Sequence, residues 1–153
     1  MKPLKPERSI RNTALDLLSR REHSRLELTK KLKTKEFSLS EIDEMLDCLV
    51  SEGLQSDERY VESYVHSRGR RGFGPLRIKL ELQERGVASD LIDMYVDFND
   101  QNWFEVAHRE YEKKFGAEVT KSAKDRAKRM RFLQSRGFTG DIIQKTFAAF
   151  SER

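Results

Sequence analysis

The order of apolar and polar residues predicts a chain of short amphipathic helices. Within residues 8–20 the apolar side chains recur every three or four positions, which places them on one face of a helix. A second helix is expected after the turn at His23 and Ser24. A third begins at Ser38, which forms a capping-box pattern with Glu41 three residues later.

The middle of the chain contains a conflict between two patterns. A helix capped by Asp57 is expected to break in the glycine-rich segment 67–75, and Pro75 suits the first turn of the next helix. Apolar and polar residues then alternate, which is typical of a strand. We favour a helix, because its counterparts elsewhere in the chain are helical and Gly86 is a suitable stop. The apolar residues would form two pairs on nearly opposite faces, as in a helix sandwiched between two neighbours: Leu76 with Leu80, and Ile78 with Leu82.

One short pattern occurs three times, at offsets of 50 and 51 residues. Each copy has an apolar residue, a cation, a large apolar residue after a turn, a small polar residue and an isoleucine. The copies are Leu32, Lys35, Phe37, Ser40 and Ile42, then Leu82, Arg85, Val87, Asp90 and Ile92, then Leu133, Arg136, Phe138, Asp141 and Ile143. Such periodicity indicates stacked units.

The repeat predicts the fold class and the division of the chain. We expect an all-α protein in which three tandem three-helix repeats form an elongated, curved array. The boundaries are an N-terminal tail at 1–9 and repeats at 10–55, 56–100 and 101–153. Repeat proteins of this kind commonly bind along extended partners, so the pattern favours a binding protein over an enzyme.

Charge alternates with the repeat, although the net charge of the 153 residues is only +4. Three segments are basic, 20–35 (+5), 66–85 (+4) and 121–136 (+6), and the two between them, 40–62 (−7) and 90–112 (−6), are acidic. If the repeats stack in register, the basic segments align on one side and the acidic segments on another, which suits a partner of mixed charge, or nucleic acid together with a protein that coats it. The alternative for any single segment is a solvated helix face.

Motifs for catalysis, cofactors or metals are missing from the sequence, and we predict none of these sites. The histidines His23, His66 and His108 fall in three different repeats without metal-site spacing. The glycine-rich segment lacks the ending of a phosphate loop. A lone cysteine, Cys48, cannot form an internal disulfide, and no apolar run is long enough to cross a membrane. We expect a cytoplasmic monomer that is not an enzyme and has no membrane partner.

Arginines in the glycine-rich segment are the strongest candidates for a binding site. Guanidinium groups bind phosphates or carboxylates through two hydrogen bonds at once. We favour a binding role for these arginines over simple solvation, whereas Phe73 could equally stack on a partner or fill the junction between repeats. The candidates are Arg68, Arg70, Arg71, Phe73 and Arg77, with Lys124, Lys128 and Arg131 on a later helix and Arg20, Arg21 and Arg25 at the first turn.

Several segments resemble the RecX family of bacterial recombination regulators. The two most specific are SDERYVESY at 56–64 and GFGPLRIKLEL at 72–82. Three others are ALDLLSRR at 14–21, KKFG at 113–116 and RFLQSRGF at 131–138. Together they touch all three predicted repeats.

The resemblance implies tandem three-helix repeats and a protein that binds the RecA–DNA filament. Members of that family lie in the groove of the filament and lower the ATPase and strand-exchange activities of RecA during recombination and DNA repair. They also limit filament growth or promote disassembly. Single- or double-stranded DNA is the further partner that we consider for direct binding. Two alternatives stay open: a helical nucleic-acid-binding protein that acts without RecA, and an adaptor for another protein assembly.

Overall fold

The computed structural model describes residues 9–151, and this part of the chain consists of nine α-helices without a strand. The helices are α1 (Ile10–Arg20), α2 (Arg25–Thr34), α3 (Leu39–Ser51), α4 (Asp57–Arg70), α5 (Pro75–Glu84), α6 (Ser89–Tyr95), α7 (Asn102–Phe115), α8 (Ala123–Arg136) and α9 (Gly140–Ser151). The predicted all-α class with three helices per repeat is confirmed. Most of the predicted tail at 1–9 lies outside the described residues.

The chain divides into two compact units. The first contains the described chain up to Ser63 together with Arg85–Val87, and the second contains Tyr64–Glu84 together with the chain from Ala88 onward. In the first unit, α1, α2 and α3 enclose an apolar core of Ala14, Leu28, Leu32, Ile42, Met45, Leu46 and Leu49. The predicted limits of the three repeats stay a prediction.

Equivalent positions of the repeated pattern have equivalent environments. The leucines Leu32, Leu82 and Leu133 are fully buried, and so, almost completely, are the three isoleucines. The turn residue after the repeated cation has a positive φ in each copy: +69° at Glu36, +76° at Gly86 and +97° at Gly137. The same short turn therefore joins the second and third helix of each repeat, and the first copy makes it without glycine.

Of two helix caps predicted from the sequence, one is confirmed in part and the other is wrong. The hydroxyl of Ser38 accepts the backbone N–H of Glu41 at 3.2 Å, which confirms half of the predicted capping box. The prediction that Asp57 caps α4 is wrong, because the hydroxyl of Ser56 takes that position. The carboxylate of Asp57 instead accepts the backbone N–H of Arg25 at 2.9 Å and so caps the start of α2.

Helix α5 is a helix, as predicted, but it is not sandwiched. Ile78 and Leu82, on one face, are fully buried. Leu76 and Leu80, on the other face, are 44% and 60% exposed. Because residues four apart lie on the same side of a helix, the two exposed leucines leave one apolar face of α5 open.

Candidate functional site

Phe73 is surrounded by three arginines from three helices. The guanidinium carbons of Arg68, Arg77 and Arg136 lie 3.8, 4.4 and 5.1 Å from the centroid of its ring. The ring is half-buried. Guanidinium groups at these distances are attracted to the negative face of the ring. Of the two sequence interpretations of Phe73, this packing favours the one that fills the junction between the second and third repeats.

The segment that carries Phe73 is held tightly by backbone contacts to the end of α8. The N–H of Gly74 donates to the carbonyl of Arg136 at 2.7 Å, and the N–H of Leu76 donates to the carbonyl of Gly137 at 2.9 Å. A Cβ at Gly74 would lie 2.6 Å from the backbone of Gly137. This end of the glycine-rich segment is therefore a close backbone junction, and glycine is required at position 74 because no side chain fits.

The predicted break within segment 67–75 is confirmed and lies at residues 71–74, because α4 continues to Arg70 and α5 begins at Pro75. Arg68 forms a two-bonded ion pair with Glu81 of α5, with Nη2–Oε2 at 2.8 Å and Nε–Oε1 at 3.1 Å. Both side chains are less than one-fifth exposed. This pair links the last turn of α4 to α5, and the carboxylate of Glu81 neutralises the charge of Arg68.

Arg70 and Arg71 are exposed. Neither forms an ion pair with a carboxylate within residues 9–151. Arg77 is also exposed, and its Nη1 donates to the carbonyl of Ser135 at 3.2 Å. The segment around Phe73 thus contains Arg68, whose charge is neutralised by Glu81, and three exposed cations, Arg70, Arg71 and Arg77.

Helix α8 carries the second group of solvent-facing cations. Lys124, Lys128 and Arg131 are exposed, and among the described residues none is within ion-pair distance of a carboxylate. A fourth cation of this helix, Arg129, has the opposite environment. It is 5% exposed and donates to the hydroxyl of Tyr111 at 2.9 Å, so it supports the fold.

The three candidates at the first turn are all paired. Arg20 contacts Asp16 at 3.2 Å, Arg21 contacts Glu27 at 2.8 Å, and Arg25 contacts Asp47 at 2.8 Å. Their positive charge is balanced locally, in contrast to that of Arg70, Arg71 and the exposed cations of α8. A contact between these three residues and a partner stays a prediction.

Glu27 is the centre of that turn. Burial alone would raise the pKa of its carboxyl, but the hydrogen bond from Arg21 and the N–H of Ser24 outweigh it and lower the pKa to about 2. The Ser24 hydroxyl accepts the N–H of Glu27 in return, which completes a capping box at the start of α2. These bonds fix the turn between α1 and α2, so Arg21 and Glu27 have a structural role.

Sequence reasoning left Arg136 out of the candidate set. It stacks on Phe73 and lies 5.3 Å from the ring of Phe132. A signal for it was present, because Arg136 occupies the cation position of the repeated pattern.

In the described part of the chain, histidines, cysteines and carboxylates form no group of three that could hold a metal ion. No described helix has the length and apolarity needed to cross a bilayer.

Three models of one protein family match the chain in succession. The first three-helix domain of RecX matches residues 11–49, the second matches 56–95, and the third matches 100–147. Together they cover most of the chain.

Individual relatives give the same result. The chain is 40% identical to the regulatory protein RecX of Ectopseudomonas mendocina over 94% of this chain and 96% of the relative. It is 43% identical to the regulatory protein RecX of Pseudomonas savastanoi pv. phaseolicola over 88% and 87% of the two chains. The crystal structure of RecX from Lactobacillus salivarius matches with a TM-score of 0.79 and 25% identity, covering 94% of this chain and 96% of that one.

Proposed function

Because this chain belongs to the RecX family of regulatory proteins, we propose that it binds the RecA–DNA filament and lowers RecA activity. The ATPase, strand exchange and filament extension of RecA are the activities affected, in homologous recombination and DNA repair. The observation that carries the proposal is the match of all three three-helix domains along the chain, in order. The protein acts in the cytoplasm as a monomer and catalyses no reaction of its own.

The solvent-facing cations of the second compact unit make the main contacts in this proposal. Arg70 and Arg71 precede Phe73 in the sequence and are exposed, Arg77 lies over the ring of Phe73, and further cations line α8. Their charge is free to meet carboxylates of RecA or phosphates of DNA. The paired arginines at the first turn contribute less, since binding would compete with their existing carboxylates.

Inhibition follows from the linkage of several contact surfaces on one chain. A chain that contacts two neighbouring RecA subunits binds the second at a high effective concentration. Such a bridge would oppose the rearrangement of subunits that accompanies ATP turnover, or it would block addition at a filament end. The bridge requires no chemistry by the chain itself.

The test is the single-strand-DNA-dependent ATPase of purified RecA, with this chain added at increasing ratios. Inhibition well below one chain per RecA would indicate action on filament ends or growth. Inhibition that requires near-saturating amounts would indicate occupancy of the groove. An unchanged ATPase at every ratio would overturn the proposal.

A second candidate function is direct nucleic-acid binding without RecA. Lys124, Lys128 and Arg131 favour it, because three exposed cations on one helix suit a phosphate backbone. The acidic segments 40–62 and 90–112 oppose it, because they repel DNA. Binding of the chain to bare duplex with a steep loss of affinity in salt, together with no effect on RecA, would favour this candidate.

A further inference from the structure

The open face of α5 lines a groove in the second compact unit. The groove has a volume of about 560 Å³ and is bounded by α5, Phe98 and the C-terminal end of α8. Its apolar surface comes from Leu76 and Leu80, which are 44% and 60% exposed, and from Phe98. Large apolar side chains that cluster on a surface are typical of an interaction site.

Two cations lie in the same groove beside this apolar surface. Arg77 and Lys79 are both lining residues, and the remaining polar ones are Gln83, Gln134 and Ser135. None of the lining residues within the described chain carries a carboxylate. A bound partner therefore contacts apolar side chains and positive charge, and no carboxylate among the described lining residues repels the acidic groups of that partner.

The two cations are positioned by aromatic rings. The ammonium of Lys79 lies 5.6 Å from the ring centroid of Phe98, and the guanidinium of Arg77 lies 4.4 Å from that of Phe73. These contacts favour the observed positions of the two charges, and Arg77 also donates through Nη1 to the carbonyl of Ser135. The lining of the groove thus complements an apolar group that has acidic groups beside it.

We propose that this groove receives an apolar side chain flanked by carboxylates on the surface of a RecA subunit. The proposal rests on the proposed function, which supplies the partner, and adds the place and chemistry of one contact. An aliphatic or aromatic side chain would cover Leu76 and Leu80. Carboxylates beside it would pair with Arg77 and Lys79.

The composition of the groove favours a protein over nucleic acid as its occupant. Phosphates gain nothing from the two leucines, and burial of apolar surface is the main source of affinity at a protein contact. A second copy of this chain is the other protein occupant to consider. The experiment below separates these three occupants.

The experiment compares variants of the full chain for binding to preformed RecA filaments on single-stranded DNA. Leu80→Ser is expected to weaken binding about tenfold, as loss of one buried leucine contact predicts. Leu80→Met keeps an apolar side chain and should bind like the wild type. Met94→Ser is the matched control, because Met94 is 66% exposed on α6 and lies outside the groove.

A charge variant provides a second, independent test. Lys79→Glu should also weaken filament binding, and raising the salt concentration should reduce the difference from wild type. Circular dichroism and thermal melting of each variant show that it is folded. If Leu80→Ser and Lys79→Glu both bind the filament like the wild type, the groove assignment is overturned while the proposed function stands.

Other results would identify a different occupant or a wider failure. Equal losses of affinity for bare single-stranded DNA would assign the groove to nucleic acid and overturn a RecA contact. A wild-type dimer in sedimentation that Leu80→Ser converts to a monomer would assign it to a second copy. If the wild-type chain does not bind RecA filaments, the proposed function fails, and this contact fails with it.

Discussion

The ammonium of Lys31 lies 2.9 Å from Nε2 of His23, a ring that is only 2% exposed. The other ring nitrogen, Nδ1, lies 3.0 Å from the backbone carbonyl of Arg21. A carbonyl oxygen only accepts hydrogen bonds, so Nδ1 carries the hydrogen and Nε2 accepts one from Lys31. This arrangement requires a neutral histidine, since a proton on Nε2 would face the ammonium.

The free energy of unfolding should therefore fall as the pH drops below about 6.5. Burial lowers the pKa of His23 from 6.5, and the charges of Arg21 and Lys31 lower it further against the opposing carbonyl hydrogen bond. Between the two pKa values the unfolded chain binds more protons than the folded chain, so acid favours unfolding. Urea unfolding at a series of pH values between 7.5 and 5.5 measures this slope.

Two variants isolate the contribution of His23 to the slope. His23→Gln should flatten the decline between pH 6.5 and 5.5, whatever it does to stability at neutral pH. His66→Gln removes an exposed histidine and serves as the control. A His23→Gln protein with the slope of the wild type would show that His23 does not cause the pH dependence.

Glu36→Gly should stabilise the protein by about 1 kcal/mol, because a left-handed backbone is costly for residues with a Cβ. Glu36 has a φ of +69°, at the position that glycine occupies in the other two repeats. Glu36→Ala keeps the Cβ and should bring no such gain. Urea unfolding compares the three proteins, and a less stable Glu36→Gly would contradict the interpretation of this turn.

Arg68→Ala should destabilise the protein by about 2 kcal/mol, since it removes a two-bonded ion pair whose side chains are both mostly buried. A double-mutant cycle with Glu81→Gln measures the coupling between the two side chains. We expect a coupling energy above about 0.5 kcal/mol, as for residues in direct contact. Additive effects of the two changes would show that the ion pair does not hold α4 against α5.

Gly74→Ala should cost about 1–3 kcal/mol, the usual range for overpacking a close contact. The added methyl group would lie 2.6 Å from the carbonyl group of Gly137. Gly140→Ala is the matched control, because a Cβ there meets nothing within 4 Å. Thermal melting distinguishes the two, and equal melting temperatures would contradict the close junction between the Phe73 segment and α8.

Reversing Arg70 and Arg71 together to glutamate should weaken binding to RecA filaments about tenfold or more, with little effect on stability. Both are exposed and lack an ion-pair partner within residues 9–151. The control reverses Lys113 and Lys145, which changes the net charge equally at exposed positions outside the basic segments. Unchanged inhibition of RecA by the first double variant would remove these arginines from the proposed interface.

Much of the fold could be predicted from the sequence, because short-range rules determine it. The helical spacing of apolar residues and the recurring pattern around Phe37, Val87 and Phe138 predict the helices and their order. Leu32, Leu82 and Leu133 are buried alike because they occupy the same place in each repeat. The sequence prediction was wrong where a residue distant in the sequence provides the hydrogen-bond partner. Asp57, for example, caps α2 rather than its own helix.

The candidate site was less predictable, since pairing depends on tertiary contacts. Arg68 and Arg70 are two residues apart in the sequence, yet Arg68 pairs with Glu81 and Arg70 faces solvent. Likewise, the alternating apolar residues of α5 did not reveal which face would stay open. Helical spacing separates the two faces of a helix, but packing decides which face is covered.

The most direct measurement of the central claim is the affinity of the wild-type chain for two targets at the same salt concentration. One is a RecA filament assembled on fluorescent single-stranded DNA with a non-hydrolysable ATP analogue, and the other is the same DNA without RecA. We predict saturable binding to the filament that is at least about tenfold tighter than binding to bare DNA. Equal affinity for both targets, or no binding to the filament, would contradict the proposal that RecA is the partner.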